Sequence, residues 1–322
     1  MKFRYFYLPL LVLLALPLAF IFSGYTWDLN KLATYSSFWD LITVTANPVA
    51  AVIISILLLA VLLYFYRANF KLCIAIAVYC FAAVVATQVI KSVVKNTLEE
   101  PRPFTYQIAY RLQEIDAERF ISDFEKAYKS NPSNPSPYQA DLAGDDSIGN
   151  LINSLENGTY TGETTIDVND DQAPKRVQDY LDYYFDKLDK EKRIAFIRFY
   201  ENSYMQGPQE ETRRAALDRL ADESPYSFPS GHSIFAATWM MIFMVMAFMA
   251  RKASFWLVTA GVVTWGLLVE ASRIILGYHY AHDVLASNII AACVIGATFW
   301  IMSFMYRLLS NREAKATETS QN

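Results

Sequence analysis

All three histidines of this 322-residue chain, His232, His279 and His282, fall in two short segments that also carry cations and a carboxylate. The first segment is Pro229-Ser230-Gly231-His232. The second is Ser272-Arg273, five residues, His279, three residues, Asp283. Far upstream lies a third, Lys95, six residues, Arg102-Pro103. Imidazole changes charge near neutral pH, so its concentration in two places points to a site. His279 and Asp283 are four apart and share a face if a helix has begun there. Asp283 can then accept from one ring nitrogen of His279 and leave the other nitrogen's lone pair free, as in nucleophile–base–orienter arrangements.

The remaining residues of these segments suit an anion. Ser230 is a good N-cap, and the free N–H groups of a first helical turn bind phosphate. Gly231 lets backbone approach a ligand. Arg273 can grip two phosphoryl oxygens at once. Pro101 and Pro103 stiffen the chain around Arg102 and aim its side chain. Lys91 lies one helical turn before Lys95 and competes with it for the same role. Each segment also has a plainer reading: a Ser-capped helix start, an Asp used as a helix cap, basic residues snorkelling at a helix end.

These residues need rigid elements to hold them, and composition says what kind. The chain is 54% apolar, and its charges are segregated. The stretch from Asn96 to Pro229 holds 26 of the 32 acidic residues and 15 of the 28 basic ones, a net charge of −11, whereas the remainder carries +7. A membrane protein with one acidic, water-facing insertion explains this split, and the acidic insertion argues against nucleic acid as a partner. The three cysteines, Cys73, Cys80 and Cys293, lie in apolar runs and read as small buried hydrophobes rather than a disulfide framework.

Six apolar runs are long enough to cross a bilayer as helices: about 5–24, 47–66, 72–93, 232–250, 255–272 and 283–307. The first could serve as a signal peptide, but its long apolar stretch lacks a small-x-small cleavage site, which favours an anchor. Lys2 and Arg4, Arg67 and Lys71, Arg251 and Lys252, and Arg307, Arg312 and Lys315 mark every second connection. The positive-inside rule puts those connections and both termini in the cytoplasm. The insertion and the turn at 273–282 then face the other side. Arg273 runs against that charge count, as a paired functional residue would. The expected fold is all-α: a six-transmembrane-helix bundle with a mainly helical extracytoplasmic insertion between spans three and four. The expected divisions are 1–95 for spans one to three, 96–229 for the insertion, 230–308 for spans four to six and 309–322 for a cytoplasmic tail. Within the insertion, 131–137 and 144–146 read as loops, and 174–203 and 209–222 as helices.

Together the three segments resemble the three-part signature of the type 2 phosphatidic acid phosphatase superfamily. Eleven positions match in order: Lys95, Arg102, Pro103, Pro229, Ser230, Gly231, His232, Ser272, Arg273, His279 and Asp283. The resemblance implies a lipid phosphate phosphatase of the bacterial inner membrane with its active site on the periplasmic side. It implies His279 as nucleophile, Asp283 as its orienter and His232 as acid and then base. Lys95, Arg102, Arg273, Ser230 and Gly231 would bind the phosphoryl group. Three fixed cations can do what a metal does elsewhere, so no metal or other cofactor is expected. The expected partners are membrane lipids and a lipid phosphate substrate: phosphatidylglycerophosphate, phosphatidate or undecaprenyl diphosphate. Two rivals stay open. One is a metal-dependent hydrolase built from His232, His279, His282 and Asp283. The other is a transporter or scaffold that only binds lipid phosphate.

Overall fold

In a computed structural model, residues 4–28, 37–114, 117–133, 135, 188–204, 218–220, 223–250 and 252–321 are described. They are helical, and no strand occurs among them beyond an isolated antiparallel bridge between Pro101 and Tyr226. The chain forms two compact units. One comprises Met1–Asp28, Thr34–Pro103 and Tyr226–Asn322; the other comprises Leu29–Ala33 and Phe104–Pro225.

The first unit contains α1 (Arg4–Phe22), α2 (Ser37–Val44), α3 (Pro48–Tyr66) and α4 (Phe70–Leu98). The helices α8 (Gly231–Ala250), α9 (Ala253–Ile275) and α10 (Ala281–Gln321) belong to it as well. Their starts follow local chemistry. Asn47 caps α3, with Pro48 at its first position, and Asn69 caps α4; each side chain accepts from the backbone N–H three residues on. Five of these helices are long and apolar enough to cross a membrane: α3, α4, α8, α9 and the Ala281–Met302 part of α10. The first apolar run, expected as a sixth span, gives a shorter apolar stretch, Phe6–Phe22. The chain is a multi-pass membrane protein. α2 was not expected from the sequence, and α10 continues past residue 308, where a tail was expected to begin.

The bundle is built around α8. It packs against α9, α10, α1, α4 and α3, and its side chains from Ser233 to Ala247 are all buried. A helix that is apolar all round must be enclosed by others. The outer helices show the opposite pattern. On α3, Val49, Val52, Ile53, Ile56 and Leu57 are all exposed, at the spacing of one helix face. Such a stripe is stable against hydrocarbon and not against water. Cys293 belongs to this outer surface: it is exposed on α10, whereas the sequence placed it with the buried hydrophobes. An apolar run does not distinguish a lipid-facing side from a core-facing one. Cys80 is buried and Cys73 partly so.

Hydrogen bonds between helices fix the register where apolar packing cannot. Trp239 Nε1 donates to Ser55 Oγ at 3.2 Å, and Trp265 Nε1 to Thr45 Oγ1 at 2.9 Å. Pro17 inside α1 has no N–H, so the Leu13 carbonyl four residues earlier loses its helical donor. Asn288 Nδ2 on α10 supplies the missing bond to Leu13 O at 2.6 Å. In a water-free interior that repair ties α1 to α10 at a defined height. Asn288 Nδ2 also lies 3.2 Å from Glu270 Oε2, which gives this buried carboxyl a structural partner.

The second unit contains α5 (Pro103–Glu114, from Phe104 on), α6 (Ala117–Ser130) and α7 (Lys190–Tyr204). It has its own aromatic core of Phe120, Phe124, Phe196 and Phe199, with Phe120–Phe199 ring centroids 5.0 Å apart and Phe124–Phe196 5.1 Å apart. Arg198 grips both carboxylate oxygens of Asp218 at 2.9 and 3.1 Å, and this pairing raises its pKa. The expected helix over 174–203 is corrected at its described end. Leu188 sits in a bend, and α7 begins at Lys190 because Asp189 caps it through Lys192 N–H at 2.8 Å. Residues 174–187, the turn at 144–146 and all of 209–222 except 218–220 lie outside the described residues.

Candidate active site

Every residue singled out for phosphate chemistry falls in the first unit, at the C-terminal ends of α4 and α9 and the N-terminal ends of α8 and α10. Local backbone chemistry brings them there. α9 ends in a Schellman motif: Tyr278 N–H bonds Arg273 O at 3.1 Å, and Gly277 N–H bonds Ile274 O at 3.1 Å. Gly277 takes φ +74°, which a glycine adopts without strain. A Cβ there would also collide with the buried indole of Trp27. The motif folds the chain back, and His279 N–H reaches Arg273 O as well, at 3.0 Å. Two residues six apart in sequence thereby become neighbours.

α10 then starts at once. Asp283 Oδ2 accepts from Tyr280 N–H at 2.9 Å, reaching back to the start of its own helix as in a capping box. The same oxygen lies 3.3 Å from His279 Nδ1. Asp283 is therefore both a helix cap and the partner of the histidine, two readings that the sequence left as alternatives. Both side chains are buried, His279 at 2% exposure and Asp283 at 0%.

On its other side, His279 Nε2 lies 3.3 Å from Arg102 Nη1. Arginine can only donate, so Nε2 accepts and Nδ1 carries the proton that faces Asp283. Burial holds the His279 pKa well below the usual imidazole value, and Arg102, Arg273, Lys95 and His232 lower it further. The contact with Arg102 leaves the lone pair on Nε2.

Arg102 and Arg273 are both buried, at 1% exposure. Arg102 Nη1 donates to Tyr278 O at 2.7 Å. Arg273 Nη1 donates to Thr43 Oγ1 at 2.8 Å, and its guanidinium lies 3.9 Å from the Tyr278 ring centroid. Tyr278 thus supports one arginine with its carbonyl and the other with its ring. Neither Tyr278 nor Thr43 was expected from the sequence. The only signal for Tyr278 is that it precedes His279; α2, which carries Thr43, has no motif.

The segment around Arg102 is set by backbone. Glu99 ends α4 in the left-handed region, φ +48°, uncommon for a residue with a side chain. Beyond it, Pro101 bridges Tyr226, and Ser227 N–H donates to Glu100 O at 2.7 Å. The first and second motif segments are therefore laid side by side. Ser230 caps α8: its Oγ accepts from Ser233 N–H at 3.3 Å and from Ser233 Oγ at 2.8 Å. Its carbonyl accepts from Ser287 Oγ of α10 at 3.1 Å. Gly231 and His232 follow at the open N-terminal turn. Lys91 stands beside Gly231: a Cβ on the glycine would meet Lys91 Cδ at 3.3 Å, and Lys91 Nζ donates to Gln88 Oε1 at 2.8 Å.

His282 is the third histidine. Its Nε2 lies 2.7 Å from Glu100 Oε1 and 3.1 Å from Asp283 Oδ1. Among the described residues, the donor atoms of Glu100, His282 and Asp283 lie within 4.8 Å of one another and could share a metal ion. That set differs from the His232, His279, His282 and Asp283 group considered from sequence, because His279 engages Asp283 through Oδ2 and turns its other nitrogen toward Arg102.

Comparison with known proteins gives two similarities. Residues 169–307 match the PAP2 superfamily model, and the matched stretch takes in the second and third motif segments. The chain is also similar to proteins named phosphatidylglycerophosphatase B. That of Haemophilus influenzae is 26% identical over 270 residues, covering 83% of each chain. Those of Escherichia coli K12 and Shigella flexneri are each 20% identical over 292 residues, covering 90% of this chain and 85% of theirs.

Proposed function

We propose that this chain is a metal-independent lipid phosphate phosphatase of the bacterial inner membrane, acting through a phosphohistidine on His279. The observation that carries the reading is the two-sided setting of that ring: Nδ1 on Asp283, Nε2 turned to Arg102. An Nε2 lone pair is what attack on phosphorus requires.

In this reading Nε2 attacks phosphorus and the bond to the lipid oxygen breaks. His232 gives that oxygen a proton. His232 then takes a proton from water, whose oxygen attacks phosphorus, and the P–N bond breaks to return neutral His279. Asp283 holds the Nδ1 proton and stabilises the imidazolium-like intermediate. Arg102 exchanges its contact with Nε2 for a phosphoryl oxygen, and Arg273 and Lys95 neutralise the rest. The Ser230 hydroxyl proton and the Gly231 N–H add donors at the start of α8. Phosphoryl transfer needs mainly positioning and charge stabilisation, and three fixed cations supply both.

Substrates in this reading are amphipathic phosphates: phosphatidylglycerophosphate, phosphatidate and undecaprenyl diphosphate. Spanning helices that end beside the phosphate site favour a head group whose tails remain in hydrocarbon. The names of the relatives support phosphatidylglycerophosphate first. The basic connections support cytoplasmic termini, six spans and a periplasmic site. The test is phosphate release from vesicles containing each lipid, in EDTA, with His279→Ala as control. Activity that vanishes in EDTA and returns with zinc would move the assignment to a metal hydrolase. Binding without release would leave a transporter or scaffold.

A further inference from the structure

The mechanism above uses two of the three histidines. His282 is half-exposed and does not lie in the row of cations, yet it is held more tightly than a surface residue needs to be. Its ring stacks on Tyr280, with centroids 5.1 Å apart and planes at 9°, and lies 6.4 Å from the ring of Phe228. Its Nε2 hydrogen-bonds Glu100 Oε1 at 2.7 Å and lies 3.1 Å from Asp283 Oδ1, an ion-pair contact rather than a second hydrogen bond.

Each carboxylate belongs to a different part of the site. Glu100 precedes Arg102 by two residues, and its own carbonyl is fixed by Ser227 N–H. Asp283 already gives Oδ2 to Tyr280 N–H and His279 Nδ1. A carboxylate engaged through one oxygen can still turn about its Cβ–Cγ bond. The second oxygen, Oδ1, accepts no hydrogen bond, and a cation held 3.1 Å from it restrains that turn through charge, and with it the ring that leans on the carboxylate. Both partners are anionic when ionised, so a cation between them draws the two together. One imidazole therefore links the segment that delivers Arg102 to the carboxylate that orients His279.

We infer that His282, braced by Glu100, is a positioning residue: it locks the Asp283 carboxylate and so sets the aim of His279 Nε2. The role rests on the phosphatase reading and adds to it a specific demand for a cation at residue 282. His282 has no contact with the reacting nitrogen, so its loss should lower turnover and leave binding nearly intact.

The test is steady-state phosphate release by the purified full-length protein on phosphatidate in mixed micelles. His282→Ala should lower kcat about tenfold with KM within about twofold, a modest share of what misplacing a reacting group can cost. His282→Arg, which can donate to both carboxylates, should recover most of that loss. Glu100→Ala should lower kcat by about threefold or more, and the double variant should be no worse than the poorer single one, since the two act as one device. Should His282→Ala fail to fold, His282→Gln, neutral and of similar size, is read against the same limits. A kcat within about twofold of wild type, a rise in KM alone, or no recovery with Arg would overturn the role. Wild-type protein that releases no phosphate would instead overturn the phosphatase reading, and this role with it.

Discussion

Arg102 Nη1 stands 3.3 Å from His279 Nε2 and 2.7 Å from the carbonyl of Tyr278, the residue before it. One guanidinium therefore reads both the ring and the backbone that carries it. Arg102→Ala should reduce kcat/KM by about 10²–10³, as for loss of one fixed donor at a developing charge. Arg102→Lys should recover little, because a single ammonium cannot reach the same acceptors as the guanidinium fork. Phosphate release by the two variants at saturating and limiting substrate checks this. A Lys variant as active as wild type would mean that charge alone suffices.

Gly277→Ala tests how the fold sets the site. The substitution places a Cβ against Trp27 at a backbone angle of +74°. Strain at such a position costs about 1–3 kcal/mol. Thermal unfolding should move down, and activity should fall further than stability explains, because His279 is displaced. Adding Trp27→Ala should relieve the collision and leave the backbone strain, so recovery should be partial. Full recovery would show that φ does not matter here.

Much of this was legible in the sequence, for reasons that can be named. Apolar runs mark spanning helices because hydrocarbon admits little else, and the boundaries of α3, α8 and α9 fall within about three residues of the expected ones. His279 and Asp283 could be paired because their spacing is a helix turn. By contrast, Arg273–Thr43 joins residues 230 apart, and Glu100–His282 joins residues 182 apart. No periodicity reports such contacts. α2 escaped because eight residues make too short an apolar run to stand out. Lys91 beside Gly231 could not be foreseen either, since the face of α4 that meets α8 depends on packing.

The His279 environment predicts a pH effect with a definite sign. Its folded pKa lies well below the usual value, so the unfolded chain takes up this proton first as pH falls. Stability should be full above about pH 6.5 and decline below it, by at most about 1.4 kcal/mol per pH unit for one proton, until the folded ring also titrates. The measurement is the midpoint of thermal unfolding from pH 8 to pH 5, for wild type and His279→Gln (the pH range is chosen around the ordinary imidazole value of about 6.5). The wild type should lose more than the variant. Parallel curves would remove His279 as the source.

Lys95 and Lys91, one helical turn apart on α4, differ in their expected effect on the phosphate. The positive charge of Lys95 is among the causes that lower the His279 pKa, whereas Lys91 lies against Gly231 and Gln88. Lys95→Ala should raise KM and lower kcat, together by about tenfold or more, as loss of a phosphoryl-neutralising cation does. Lys91→Ala should cost clearly less on the same substrate. Equal losses would place both ammonium groups on the phosphate.

Pro17 and Asn288 allow a test that involves no catalytic residue. Pro17 leaves the Leu13 carbonyl without its helical donor, and Asn288 supplies a substitute 275 residues away. Asn288→Leu should destabilise the protein by about 1–2 kcal/mol, the cost of a buried acceptor left bare together with the lost contact to Glu270. Pro17→Ala restores an N–H four residues after Leu13, so the helix can satisfy its own carbonyl. In that background Asn288→Leu should cost measurably less. The check is a double-mutant cycle on unfolding in detergent. Additive effects would mean that the asparagine does not serve the proline at all, and that its value lies wholly with Glu270.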